Sequence, residues 1–152
     1  MATEARSARD LPLGTMLVEE GYFGVLDLKD ALAEARESGR RLGEVLVERG
    51  FIDERILAQR VAEQEDLPYV ELGKYDVDRD AAALLPQPLA REHEAVAYAF
   101  NEWAVLVAVA DPVDGFGLEA LRTALGRPVH FVVATKSEIE SAQDEAYGSG
   151  SG

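Results

Sequence analysis

Apolar residues recur along the first 66 positions at spacings of three and four, and glycines interrupt the rhythm at regular intervals. Such spacing places the apolar side chains on one face of a helix. The pattern occurs twice. Pro12 to Ala35 (PLGTMLVEEGYFGVLDLKDALAEA) aligns without a gap on Arg41 to Gln64 (RLGEVLVERGFIDERILAQRVAEQ) at an offset of 29, and nine of the 24 positions are identical. Identity of that density, held in register, marks a duplicated structural unit.

Each copy predicts a short helix, a glycine stop and a longer helix. In the second copy Leu42, Val45 and Leu46 line the short helix, and Gly50 supplies the stop. Asp53 then caps the helix that carries Ile56, Leu57, Arg60, Val61 and Gln64. In the first copy Gly21 is the stop, and Leu26, Leu28, Ala31, Leu32 and Ala35 make the stripe of the longer helix behind Gly24, a weaker cap than Asp53. Two hairpins joined by Arg36 to Arg40 bury their stripes on each other, which predicts a four-helix bundle over residues 12–66. Residues 1–11 read as a flexible N-terminus.

Past Gln64 the texture changes. Leu67 to Leu72 reads as an extended connector, because Pro68 disfavours helical geometry at Leu67. Asp78 to Leu85 predicts a short helix ended by Pro86 and Pro88, with a further turn over Leu89 to Glu92. Ala95 to Phe100 and Trp103 to Ala110 then read as two strands of a hairpin around Asn101 and Glu102. Asp111 and Asp114 form a loop whose carboxylates cap a helix from Phe116 to Leu125. Val129 to Ala134 is a third strand, and Thr135 and Glu138 stand at capping-box spacing for a last helix to Tyr147. The expected fold is α+β: a four-helix bundle of two tandem hairpins, followed over 67–147 by a small three-stranded α+β subdomain. Gly148 to Gly152 has the composition of a flexible linker.

Composition narrows the function. Fifteen basic against twenty-nine acidic side chains leave a net charge of −14, which repels phosphate backbones and argues against nucleic acid as a partner. The absence of cysteine removes disulfides and thiolate chemistry and fits a cytoplasmic protein. No apolar run approaches the roughly 18 residues of a membrane span, so no direct membrane insertion is expected. His93 and His130 have no third ligand at metal spacing, and no phosphate-cradling P-loop pattern surrounds Gly73 and Lys74. No catalytic residue, metal or permanent cofactor is therefore expected.

The combination Arg41, Leu42, Gly43, Leu46, Gly50, Leu57, Val61 and Gln64 resembles the N-terminal domain, called the MshEN type, of type II secretion and type IV pilus assembly ATPases. The resemblance continues through QEDLPYVEL, VAVADPVDGFGLEALR and VVATKSEIESAQDEAYG, and so covers nearly the whole chain. It implies a regulatory domain ahead of an ATPase motor. In some members the domain binds cyclic di-GMP through two 24-residue motifs separated by five residues, the spacing found here. Carried onto this chain, the candidate ligand-binding residues are Arg41, Leu42, Gly43, Leu46, Leu57, Val61 and Gln64, with Leu13, Gly14, Leu17, Leu28 and Leu32 from the first copy.

Those residue types suit a ligand with two phosphates and two flat purines: a guanidinium for phosphate or stacking, an apolar floor, an amide for a base edge, and glycines for close approach. The first copy departs from the motif at Pro12, where the family has arginine, and at Ala35, where it has glutamine. Two other functions stay open. The family also uses this region to dock on an inner-membrane platform protein, and the same module occurs fused to glycosyltransferases. The leucines, for their part, are also what a helical core requires.

Overall fold

The computed structural model describes residues 2–112 and 115–148. Helices α1 (Ala2–Glu19), α2 (Val25–Ser38), α3 (Leu42–Glu48) and α4 (Glu54–Glu65) form the two tandem hairpins. The stops and caps follow local chemistry. Gly21, Gly39 and Gly50 end their helices at φ of +89°, +73° and +79°, a region that costs other residues backbone energy. Asp53 accepts the Ile56 amide at 2.8 Å. At Gly24, which has no side chain to cap with, the Asp27 carboxylate reaches back to accept the Gly24 amide at 3.1 Å.

Two expectations for this half are corrected. The backbone is helical from Ala2, well before Pro12, because the run from Ala2 to Arg9 is rich in strong helix formers. Pro12 therefore sits inside α1 rather than at its start, despite the backbone hydrogen bond it forgoes. Leu26 is not part of the buried stripe: it is 76% exposed beside exposed Val25, and Leu28, Ala31 and Ala35 carry the buried face of α2.

After α4 the chain turns at Asp66, runs extended through Tyr69, and makes a single 3-10 turn over Leu72–Lys74. Helix α5 (Arg79–Ala82) is capped by Asp78, and α6 (Gln87–Glu92) starts at Pro86 with Pro88 in its first turn. Pro88 thus opens a helix instead of closing one, as a fixed φ near −65° allows. Strands β1 (Ala95–Phe100), β2 (Val105–Val109) and β3 (Val129–Val133) follow, with α7 (Gly115–Leu125) between β2 and β3 and α8 (Lys136–Tyr147) last. Thr135 caps α8 by accepting the Glu138 amide at 3.2 Å.

The sheet has the order β1-β2-β3, antiparallel between the first two and parallel between the last two. Its hairpin turn is longer than expected. Asn101 Oδ1 accepts the amides of Trp103 at 2.8 Å and Ala104 at 2.7 Å, which makes residues 101–104 a four-residue turn. Trp103 consequently leaves the strand and stands 75% exposed.

Both faces of the sheet are covered, which explains strands that read as nearly continuous apolar runs. Ala95, Ala97, Val105, Val107, Val109 and Phe131 face a core shared with α5, α6 and α7, while Val96, Tyr98, Ala108 and Val132 face α8. Val133 belongs to the core of the hairpins. The connector is tied to the same residue: the Val133 amide donates to Pro68 O at 2.8 Å, and the Val70 amide donates to Val133 O at 2.9 Å. The last residue of β3 therefore joins the helical half to the sheet half.

Candidate functional site

The carboxyl ends of the parallel strands β2 and β3 point toward the N-terminal ends of α3, α4 and α8, and a cavity of about 320 Å³ lies where they meet. The carboxyl edge of parallel strands is where α/β folds open crevices for ligands. Helix N-termini around such a crevice add amide donors and a positive end of the peptide dipole. The helical wall is supplied by Gly43 of α3, by Leu57, Ala58 and Val61 of α4, and by Asp10 and Leu13 of α1. Ala110 and Asp111 after β2, and Ala134 to Lys136 after β3, supply the opposite wall.

The structure sorts the sequence-predicted site residues into three groups. Arg41, Gly43, Leu57 and Val61 of the second copy and Leu13 of the first line the cavity. Leu42, Leu46, Leu17 and Leu28 are buried in the hairpin core, and Leu32 packs against that core. Gln64, in the last turn of α4, is half-buried and not among the residues lining the cavity. Of the two departures, Pro12 is exposed, whereas Ala35 is only 5% exposed inside the core, so a glutamine at that position would have to displace packed neighbours.

The conserved geometry of the two copies explains their glycines. A Cβ on Gly14 would meet Leu28 Cδ1 at 2.3 Å, and one on Gly43 would meet Leu57 Cδ1 at 2.7 Å. Both pairs stand at the same separation in their copy. The glycines let the two helices of each hairpin approach until the leucine fills the missing side chain's place.

Arg41, the N-cap residue of α3, stands at the cavity lip and is 31% exposed. Its guanidinium is held by carboxylates from the sheet half: Nη2 donates to Glu94, and Nε lies 3.1 Å from Asp111 Oδ2. Glu44 adds a longer contact at 3.7 Å from its own helix. Burial works against the charge on Arg41, but the Glu94 hydrogen bond and the fields of Asp111, Glu94 and Glu44 together outweigh it and hold the guanidinium pKa above its usual value. Lys136 reaches the other Glu94 oxygen at 3.8 Å. The N-terminus of α8 is also occupied: Glu54 accepts from the Ser137 amide at 3.2 Å and its hydroxyl at 2.7 Å.

Sequence reasoning did not anticipate Glu94, Lys136, Glu54 or the role of Asp111. Asp111, expected to cap the following helix, pairs with Arg41 at 3.1 Å; Asp114 lies outside the described residues. Glu94 and Asp111 flank the first and last residues of the β1–β2 pair, where the Ala110 amide donates to Glu94 O at 3.1 Å. Their place at the open end of a hairpin was the available signal, but nothing local points to an arginine 53 residues away.

Two duplicated hairpins, a doubly covered three-stranded sheet and a cleft at their seam define an α+β domain with a ligand-sized opening between its halves. The chain belongs to the MshEN domain family, whose model matches residues 65–152. It is 31% identical over 135 residues to the type IV pilus assembly ATPase PilB of Myxococcus xanthus and 36% identical over 140 residues to PilB of Thermus thermophilus. It covers 24% and 16% of those proteins, with 89% and 91% of this chain aligned.

Bacteriophage adsorption protein B of Escherichia coli is 28% identical over 136 residues, 90% of this chain and 18% of that protein. Among solved structures, MshE with cdg (cyclic di-GMP) superposes with a TM-score of 0.77 at 36% identity, covering 89% of this chain and 98% of the other. The N-terminal domain of XpsE shares the fold, with a TM-score of 0.71 at 23% identity over 94% of this chain and 96% of the other.

Proposed function

We propose that the chain is the non-catalytic, cytoplasmic N-terminal regulatory module of a type IV pilus assembly or type II secretion ATPase, and that its seam cavity receives cyclic di-GMP. The observation that carries this reading is one cavity beside Arg41 that joins both copies of the repeat, lined by Leu13 of the first and by Gly43, Leu57 and Val61 of the second. An apolar floor with a guanidinium at the rim suits a purine and its phosphate. The related MshE has been solved with that ligand, and the chain spans a quarter or less of the length of its PilB relatives, which leaves room in them for a downstream motor.

The volume of about 320 Å³ is near the lower end of the roughly 300–1,000 Å³ typical of small-molecule sites. It suits one nucleotide of the pair. The second would lie toward the first copy, where Pro12 offers no cation and Asp10 adds a carboxylate. Affinity is therefore expected to be weaker than a pair of intact motifs would provide.

Calorimetric titration of cyclic di-GMP into the chain tests the reading. Saturable binding of one ligand per chain is expected, and a flat titration to millimolar ligand would overturn it. A second reading, docking on an inner-membrane platform protein, is favoured by Val25 and Leu26, which stand exposed side by side at the start of α2.

A further inference from the structure

Two features of the cavity that would attract an anion already hold the chain's own carboxylates: Arg41 is taken by Glu94 and Asp111, and the Ser137 amide in the first turn of α8 by Glu54. These contacts share a second property: each spans the seam. Arg41 and Glu54 belong to the hairpins, whereas Glu94, Asp111 and Ser137 belong to the sheet half. Glu94 is 18% exposed and Asp111 12%, so neither pairing is a loose surface contact. The halves are also joined through Val133 in the hairpin core and its backbone bonds to Pro68 and Val70.

Resting on the reading that this cavity receives a cyclic dinucleotide, we propose that Glu94 is a gating carboxylate: it occupies Arg41 in the empty cavity, and an incoming phosphate must displace it. A phosphate and a carboxylate cannot both take the same guanidinium edge. Displacement breaks the Arg41–Glu94 tie across the seam, so part of the ligand's binding free energy is spent on it and Glu94 sets affinity. Lys136, 3.8 Å from Glu94, is the cation positioned to receive the displaced carboxylate.

The test is calorimetric titration of cyclic di-GMP into the full chain and four variants: Glu94→Gln, Asp111→Asn, Arg41→Ala, and Glu94→Gln combined with Arg41→Ala. Glu94→Gln keeps the side-chain shape and removes the competing charge, and an affinity gain of about tenfold is expected, the value of one lost charge-assisted contact. Asp111→Asn is expected to act in the same direction, and it carries the test if Glu94→Gln melts below the titration temperature. The gain must vanish in the Arg41→Ala background, because gating acts through that guanidinium. Binding by Glu94→Gln with none by the parent chain also supports the gate. Equal affinities of the parent and both carboxylate variants would overturn it while leaving the binding site intact. A gain that persists without Arg41 would overturn it in favour of a general charge effect. No binding by any of the proteins would remove the cyclic dinucleotide reading, and the gate with it.

Discussion

Leu46→Ala is expected to destabilise the chain by about 2–5 kcal/mol, read as a shift in the midpoint of denaturant unfolding. Leu46 is fully buried, and it lies in the core where both hairpins and Val133 meet. Removing its isobutyl group leaves a cavity that neighbours on several helices cannot all collapse to fill, so lost transfer energy and lost contacts add. Against a total stability of about 5–15 kcal/mol for a domain, that loss is a large share. Leu26→Ala is the internal control, since an exposed leucine away from the core is expected to change stability by no more than about 0.5 kcal/mol. If the two substitutions cost the same, the burial pattern assigned to the repeat is wrong.

Arg41→Ala is expected to weaken cyclic di-GMP binding by about two decades. A hydrogen bond made by a charged group contributes about 1.5–3 kcal/mol, or roughly one to two decades in affinity. The upper end applies here because the first copy has Pro12 at the corresponding place and offers no second arginine to share the loss. Competition titration against the parent chain measures the loss. A change of less than threefold would mean that Arg41 only ties the two halves together and takes no part in holding a ligand.

The helix ends were legible in the sequence where local chemistry decides structure. Gly50, Asp53 and Thr135 act as the stop and caps that their residue types predict, because cap geometry depends on a few consecutive residues. Errors fell where tertiary context overrides a local signal. Residues 1–11 read as a flexible N-terminus and the helix runs from Ala2 through Pro12; Leu26 fits the helical period yet points to solvent; Trp103 has strand propensity but is carried out by the Asn101 turn.

The candidate site shows the same division. Arg41, Gly43, Leu57 and Val61 were readable from the repeat, and they line the cavity. Leu42, Leu46, Leu17 and Leu28 share that periodicity but face the core, since one helical stripe is wide enough to serve both surfaces. Glu94 and Lys136 were invisible because the meetings of Glu94 with Arg41 and of Lys136 with Glu94 are created by the sheet, which carries the two strand ends to the hairpins over a separation no local pattern records.

Backbone amide NMR of the labelled chain during addition of cyclic di-GMP tests most directly whether the seam cavity is the binding site. Perturbations are expected to concentrate at Arg41 and Gly43, along the Leu57 to Val61 turn, and at Asp111 and Lys136 across the seam. Shifts confined to the Val25–Leu26 surface, or an unchanged spectrum at saturating ligand, would contradict the account.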